Sequence, residues 1–182
     1  LDQTETAFAE ATISYFAYKP AEQTANPEPT AGSDKKTPSA TEDGQLRCNT
    51  GDAPPWDTGD ALPPLPIPVS ATLIVAGAIA SQDFTEVHHD HAAALDAGMP
   101  DIFMNILTTC GLCARYLTDW AGPGARLDTL SFRLFAPNTP GEVMRFTGGV
   151  EAESADGDHR SATVSFEGAN SLGLHVAGKA TL

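Results

Sequence analysis

An α+β domain is the fold class that the sequence predicts, on three observations. From residue 102 to residue 117, apolar residues recur at helical spacing on more than one face, which is typical of a helix surrounded by other structure. After Gly122-Pro123-Gly124 the apolar period changes from 3.6 to two, as Leu130, Phe132 and Leu134 illustrate. Turn-rich stretches at 138–141 and 156–158 then separate further strand-like segments. One long buried helix followed by consecutive strands indicates a sheet that curls around the helix, the hot-dog arrangement.

Each element of this domain has its own local signal. Residues 72–79 form a short apolar run with a proline-rich entry and a polar exit, which predicts a strand. A short helix is expected over 91–97, ended by Gly98 and Pro100. Asp101 is the predicted N-cap of the long helix. The strands that follow are expected at 130–134, 142–155, 161–167 and 174–182.

The prolines divide the chain into two parts. Ten of the 14 prolines lie in the first 68 residues. Residues 19–60 consist mainly of Pro, Thr, Ala, Glu, Asp, Ser and Gly, a composition that cannot bury enough apolar surface to offset the entropy of ordering. We therefore expect residues 1–61 to be a largely disordered tail or linker, and residues 62–182 to form the hot-dog domain.

Charge and hydropathy exclude several functional classes. The 182-residue chain has 10 Lys and Arg against 24 Asp and Glu, and this net charge of −14 argues against a nucleic-acid-binding groove. Its longest apolar run, 73–80, is much shorter than the roughly 20 residues that a membrane-spanning helix needs. Asp2, Glu5 and Glu10 stand where a secretion signal would place basic and apolar residues, so a cytoplasmic location is expected.

The cysteines suggest packing rather than chemistry. Cys48 lies in the tail, whereas Cys110 and Cys113 form a Cys-Gly-Leu-Cys motif. A zinc site would need a second pair of ligands, and a thioredoxin-like motif would open a helix after a strand. Because this pair lies inside a helical pattern, we expect structural thiols, and we expect neither a metal nor a cofactor.

The chemically interesting residues are concentrated in segment 81–91, which contains Asp83 and His88. Residues five positions apart lie about 140° apart around a regular helix, so these two side chains converge only if the backbone turns between them. A convergent carboxylate and imidazole could activate one water molecule and return its proton. The spacing alone leaves three interpretations open: solvated loop residues or helix caps, acid–base catalysis, and a metal site that uses His88 and His91.

Longer stretches of the sequence resemble a known family. Residues 83–90, followed by alanines 92–94 and a glycine before the long helix, resemble the hydratase segment of MaoC-like (R)-specific enoyl-CoA hydratases. A narrower similarity is to the small MaoC-like subunits of heteromeric steroid side-chain enoyl-CoA hydratases. The matching segments are 87–90, 101–108, 111–112, 115–123 and 170–176. The resemblance covers residues 62–182 and does not extend to the first 60 residues.

The resemblance implies a hot-dog fold and the hydration of an α,β-unsaturated acyl-CoA, with a steroid side chain as the expected acyl group. By the same resemblance, Asp83 and His88 activate the water, and backbone N–H groups at Met104 and Asn105 bind the thioester oxygen. It also implies a second, larger MaoC-like subunit that shares the site in a heteromeric double hot-dog. Two such heterodimers would form a heterotetramer. From residue 66 onward, 13 acids against six bases favour a partner that contacts the CoA phosphates.

Two other functions remain open from the sequence. One is a homodimeric (R)-specific hydratase or dehydratase that acts on short-chain acyl-CoA without a partner. The other is a non-catalytic acyl-CoA-binding or assembly subunit. A thioesterase on the same fold is less favoured, because the Asp83/His88 spacing and its position before the long helix match the hydratases. The tail is also compatible with a linker from a partner domain fused upstream.

Overall fold

The structure is a computed structural model that describes residues 10–14, 56–156 and 159–182. Most of the predicted tail, including Cys48, therefore lies outside the described residues. The helices are α1 (Ala71–Ala80), α2 (His91–Asp96) and α3 (Ile106–Ala121), with a 3-10 turn at Glu86–His88. The strands are β1 (Glu10–Ser14), β2 (Ala61–Pro68), β3 (Thr129–Leu134), β4 (Val143–Asp156), β5 (His159–Asn170) and β6 (Gly173–Thr181).

The strands form a single six-stranded sheet in the order β1-β3-β6-β5-β4-β2. All pairings are antiparallel except the parallel pairing of β1 with β3. The buried side chains of α3 join those of the sheet in one core, in which the ring of Tyr116 stacks on Phe146 at 5.1 Å. This architecture confirms the predicted α+β hot-dog fold. None of the helices in the described part of the chain is long and apolar enough to cross a membrane.

Strands β3 to β6 confirm the predicted strands. Alternation of apolar and polar residues gives β3, β4 and β5 one buried face, whereas β6 buries the neighbouring residues His175 and Val176. In β3, for example, Leu130 and Phe132 are buried while Ser131 and Arg133 are exposed. Strand β2 was not predicted, because Pro63, Pro64, Pro66 and Pro68 interrupt it. It is accommodated at the edge of the sheet, where prolines can lack N–H donors without breaking a ladder.

Residues 72–79 are helical, so the predicted strand at this position is wrong. A short run that is apolar on all sides has no periodicity to distinguish a strand from a helix. Two local features favour the helix: α1 contains four alanines, and the Ser70 side chain accepts a hydrogen bond from the Leu73 N–H at 3.0 Å as the N-cap of α1.

The long helix starts later than predicted, because its N-cap is Asn105 rather than Asp101. The Asn105 side-chain oxygen accepts from the Thr108 N–H at 2.9 Å. The four residues before Asn105 are not helical; the Met104 N–H, for instance, donates to the carbonyl of Asn138 at 2.9 Å. Asp101 instead accepts from the N–H of Ile102 at 2.7 Å. Asn105 carries the capping amide at the point where the chain turns into the core.

Trp56 lies six positions before the predicted domain start and is nevertheless part of the core. Its ring lies 5.2 Å from the ring of Trp120 near the end of α3, and its carbonyl accepts from Arg160 at 3.1 Å. Packing against the helix therefore begins before residue 62.

Candidate active site

The structure brings Asp83 and His88 together in the connection between α1 and α2. The Oδ2 atom of Asp83 lies 3.3 Å from the Nε2 atom of His88. The His88 side chain is 8% exposed and that of Asp83 is 23% exposed, so the pair is accessible from one side. The turn Glu86–His88 supplies the change of direction that the five-residue spacing requires.

The end of α1 determines where Asp83 lies. Gln82 adopts a left-handed conformation with φ of +57°, and the N–H of Asp83 donates to the carbonyl of Ala78 at 2.9 Å. The Gln82 N–H donates to Ile79 at 3.1 Å, which completes a Schellman motif. A non-glycine residue in this conformation is uncommon and carries a conformational cost. The backbone of the carboxylate is thus held by the helix end itself.

His88 is oriented by a backbone carbonyl. Its Nδ1 lies 2.7 Å from the carbonyl oxygen of Phe103, and the two rings meet edge to face at 5.0 Å. A carbonyl can only accept, so Nδ1 carries a hydrogen, and Nε2 faces the Asp83 carboxylate. A carboxylate and an imidazole that converge in this way can together bind and activate a water molecule.

Asp83 is held as a carboxylate by neutral donors. Its Oδ1 accepts from the hydroxyl of Thr85 at 2.6 Å and from the Thr85 N–H at 3.3 Å, while Oδ2 accepts from the amide of Asn105 at 3.0 Å. The Thr85 hydroxyl is the largest cause that lowers the pKa of Asp83. Partial burial opposes it, and the Asn105 amide and the nearby His88 lower the pKa further. The group is therefore ionised at neutral pH and orients water better than it supplies protons.

Asn105 contributes its side chain as well as its backbone. The side-chain Nδ2 donates to Ser81 Oγ at 2.8 Å in addition to Asp83, while Oδ1 caps α3. Asn105 is buried, so all of its amide atoms that could bond are used within the protein. One residue therefore connects the end of α1, the catalytic candidate Asp83 and the start of α3.

Met104 and Asn105, the residues predicted to bind the thioester oxygen, directly precede the first turn of α3. The Met104 N–H already donates to Asn138, as described above, and the Met104 side chain is buried. The N–H groups of Ile106 and Leu107 lie in the first turn of α3, where a helix offers no intrahelical acceptor. Ile106 and Leu107 therefore offer backbone N–H donors at the start of α3, whereas the Met104 N–H is already engaged.

The neighbouring polar residues have structural roles. Asp90 is the N-cap of α2 and accepts from the N–H groups of Ala92 and Ala93 at 2.8 and 3.3 Å. His91 Nδ1 lies 3.0 Å from Asp101 on the surface. Among the described residues, no group of three or more His, Cys, Asp or Glu side chains could hold a metal ion. Cys110 and Cys113 are free thiols on α3, and burial raises the pKa of both.

Sequence reasoning missed three contributors to this site: Ser81, Thr85 and Phe103. Ser81 and Thr85 flank Asp83 and carry hydroxyls, which is a usable but weak signal. Phe103 contributes a backbone carbonyl to His88, and a carbonyl leaves no mark in the sequence.

A second Schellman motif among the described residues ends α2, where the N–H groups of Gly98 and Met99 donate to the carbonyls of Leu95 and Ala94 at 2.9 and 3.0 Å. The two motifs predict opposite effects of exchanging their left-handed residues. Gly98 ends α2 with φ of +79°, and an added Cβ there would meet nothing within 4 Å. We expect Gln82→Gly to raise the free energy of unfolding by about 0.5–1 kcal/mol, because a left-handed L-residue costs about 1–2 kcal/mol. Glycine removes this cost, but the additional chain entropy that it loses on folding offsets part of the gain. Gly98→Gln should lower it by a similar amount. Urea denaturation of both variants measures these effects.

The comparison between the two sites is its own control. If Gln82→Gly were destabilising while Gly98→Gln behaved as expected, the Gln82 side chain would have to stabilise the fold by more than its backbone costs.

Comparisons with known proteins identify clear relatives, although no protein-family model matches the chain. The chain is 44% identical over 118 residues to the 3-oxo-4,17-pregnadiene-20-carboxyl-CoA hydratase beta subunit of Mycobacterium tuberculosis H37Rv, covering 65% of this chain and 88% of that subunit. It is similar to the crystal structure of the ChsH1–ChsH2 complex from Mycobacterium tuberculosis, with 42% identity, a TM-score of 0.65, and 69% and 95% of the two chains covered.

A more distant structure shares the fold. The (R)-hydratase from A. caviae involved in PHA biosynthesis is 23% identical, with a TM-score of 0.62 over 71% of this chain and 97% of that chain. At this level of identity, the similarity supports the architecture of α3 and its surrounding sheet.

Proposed function

The chain belongs to the family of MaoC-like enoyl-CoA hydratases, alongside the beta subunit of the pregnadiene-carboxyl-CoA hydratase. From this premise we propose that it hydrates a steroid side-chain enoyl-CoA, with Asp83 and His88 as the catalytic pair. The observation that carries the assignment of residues is the 3.3 Å approach of Asp83 Oδ2 to His88 Nε2. A carboxylate and an imidazole that converge in this way can bind and activate one water molecule, which is the second substrate of the reaction.

The two groups have different tasks in the proposed mechanism. The lone pair of His88 Nε2 takes a proton from the water while the water oxygen forms its bond to the β-carbon. The Asp83 carboxylate accepts the other hydrogen of the water and orients it. The π-electron pair of the double bond moves toward the thioester oxygen and returns to the α-carbon, which receives the proton from His88. One water O–H bond is broken, and one C–O bond and one C–H bond are formed.

The start of α3 suits the thioester oxygen. Negative charge develops on this oxygen as water adds, and backbone N–H groups at a helix N-terminus stabilise such charge without reorganising. We assign this role to the N–H groups that begin at Asn105, since the Met104 N–H is already bonded to Asn138. The Asn105 amide holds Asp83 from the same residue, so the water site and the oxygen site are fixed to each other.

Apolar surface next to the pair supports a large apolar acyl group. Phe84 follows Asp83 directly and is 68% exposed, while Leu107 in the first turn of α3 is 44% exposed. Exposed large apolar side chains beside a polar site are typical of a substrate-binding or subunit-binding surface. A steroid presents such a surface, whereas a short linear acyl chain does not. CoA thioesters are intracellular metabolites, which supports a cytoplasmic location.

The charges support a second MaoC-like subunit in the same site. At least four of the six Lys and Arg residues that the structure describes form ion pairs with carboxylates. These pairs are Arg115–Asp119, Arg126–Asp128, Arg160–Glu153 and Lys179–Glu151. Cations that are already paired and surrounded by an acidic surface attract CoA phosphates weakly. We therefore propose a heteromeric double hot-dog in which the partner binds the phosphates.

Reconstitution tests this function. We expect the chain co-purified with a candidate MaoC-like partner to hydrate 3-oxo-4,17-pregnadiene-20-carboxyl-CoA, with kcat/KM at least about 100-fold above that of the isolated chain, because half of the site is missing without the partner. Hydration is followed by loss of the enoyl-thioester absorbance.

Crotonyl-CoA is the comparison substrate. If the isolated chain hydrates crotonyl-CoA as fast as the complex hydrates the steroid, the homodimeric short-chain hydratase is the correct function. If no preparation hydrates either substrate and acyl-CoA still binds, the chain is a binding or assembly subunit.

A further inference from the structure

His175 is a buried titratable residue that the proposed mechanism does not use. It lies in β6 and is 2% exposed. Both ring nitrogens have partners: Nδ1 lies 2.7 Å from the carbonyl oxygen of Ala136, and Nε2 lies 3.0 Å from the hydroxyl of Thr109 on α3. The ring therefore bridges the sheet and the first turns of the central helix.

The direction of these hydrogen bonds follows from the carbonyl. Ala136 can only accept, so Nδ1 carries the hydrogen and donates to it, and Nε2 of the neutral ring accepts from the Thr109 hydroxyl. Burial lowers the pKa of His175, and the bond to Ala136 offsets part of this effect. The imidazole is therefore neutral at neutral pH and keeps this tautomer.

Thr109 connects the bridge to the active site. Its N–H donates to the carbonyl of Asn105 at 3.1 Å, and its hydroxyl lies 3.2 Å from the same oxygen. The side chain of Asn105 in turn donates to Asp83 Oδ2 at 3.0 Å. A continuous set of bonds thus leads from β6 through Thr109 and Asn105 to the proposed catalytic carboxylate.

We propose that His175 is a positioning residue, which fixes the first turns of α3 through Thr109 so that the Asn105 amide stays on Asp83. The inference rests on the proposed role of Asp83 in hydration. Thr109 and Asn105 are buried, so a polar atom that loses its partner here cannot turn to bulk water. The end of α1 holds Asn105 from one side through Ser81, and His175 holds the same helix turns from the sheet side.

Displacement of this turn has a specific electrostatic consequence. The Asn105 amide bonds to the charged form of Asp83 and lowers its pKa. Weakening of that bond therefore raises the pKa of Asp83. A residue that only stabilised the core would change the folded fraction without changing this pKa.

Three variants on α3 test the proposal in the full chain with its partner. Thr109→Val removes the hydroxyl at nearly constant volume, and Thr109→Ser keeps it. Thr118→Val is the matched control, because the Thr118 hydroxyl bonds to the Ala114 carbonyl of its own helix at 2.9 Å, more than two turns away. We expect kcat to fall about 3-fold to 10-fold in Thr109→Val with KM almost unchanged, the effect of one lost hydrogen bond, and to stay near wild type in the other two.

Titration of Asp83 by carboxyl ¹³C NMR gives a readout that does not depend on activity. The Asp83 signal is assigned by comparison with Asp83→Asn. The pKa of Asp83 should rise in Thr109→Val and in His175→Asn. The asparagine side chain keeps a donor for Ala136 but is too short to accept from Thr109. An unchanged Asp83 pKa and kcat in either folded variant would overturn the positioning role. Absence of hydration in the wild-type complex would instead overturn the proposed function, while the NMR comparison would still decide the role of His175.

Discussion

Asp83→Asn is expected to lower kcat for hydration by about 10²-fold to 10⁴-fold and to leave subunit assembly intact. The substitution keeps the shape of the side chain but removes the charge that accepts from Thr85 and from Asn105. It also places an amide NH2 either at the Oδ1 position, against the Thr85 donors, or at the Oδ2 position, against the Asn105 amide, where the water loses one of its acceptors. Steady-state hydration rates and size-exclusion chromatography of the complex measure the two parts of this prediction.

Two neighbouring residues give matched controls for the catalytic pair. Asp90→Asn changes the same residue type seven positions away, and asparagine caps a helix as well as aspartate does, so activity should remain within about two-fold of wild type. His88→Ala should abolish hydration as Asp83→Asn does, whereas His89→Ala alters an exposed ring and should not. Retention of more than a tenth of the activity in Asp83→Asn would contradict the acid–base assignment.

Gly77→Ala should destabilise the protein and reduce hydration, because α1 and α3 cross closely at this position. A Cβ at Gly77 would overlap the Thr108 hydroxyl and lie 2.8 Å from its Cγ2 atom. Overpacking costs about 1–3 kcal/mol, against about 1 kcal/mol that alanine gains over glycine in a helix. Ser81 and Asp83 directly follow this helix. A shift of the helix by about 1 Å would therefore move Asp83 and lower kcat by about 100-fold.

Gly111→Ala is the control for this effect of glycine replacement. Gly111 lies on α3 with nothing within 4 Å of an added Cβ, so alanine should stabilise the protein by about 0.5–1 kcal/mol and leave hydration unchanged. Thr108→Ala in the Gly77→Ala background removes the two closest atoms and should restore part of both losses. A Gly77→Ala protein that is as stable and active as Gly111→Ala would show that the helix crossing does not position Asp83.

The sequence predicted the sheet better than the helices, for a physical reason. Strands β3, β4 and β5 each bury one face, and a two-residue period is legible over as few as six residues. The 72–79 run carries no period, so its helical state depends on the Ser70 cap and on packing against α3. The start of α3 was displaced by four residues because Asp101 and Asn105 are both good caps, and tertiary hydrogen bonds of the intervening backbone decide between them.

The candidate site, like the fold, was predicted only in part from the sequence. Residue types and spacing made Asp83 and His88 candidates, and the resemblance of longer segments to MaoC-like hydratases implied a reaction for them. Tertiary contacts decided what no one-dimensional pattern contains: the Phe103 carbonyl that sets the tautomer of His88, the amide of Asn105 that holds Asp83, and the Asn138 carbonyl that occupies the Met104 N–H.

By itself, the sequence determined that a helix-wrapping antiparallel sheet would form and that a carboxylate and an imidazole would stand before its central helix. These properties are local, because burial alternates along a strand and chemistry depends on residue type. The tertiary structure alone decided which hydrogen bonds hold those two side chains. The partners that contact them, the Phe103 carbonyl and the Asn105 amide, lie 15 and 22 positions away, and a backbone carbonyl has no identity in the sequence.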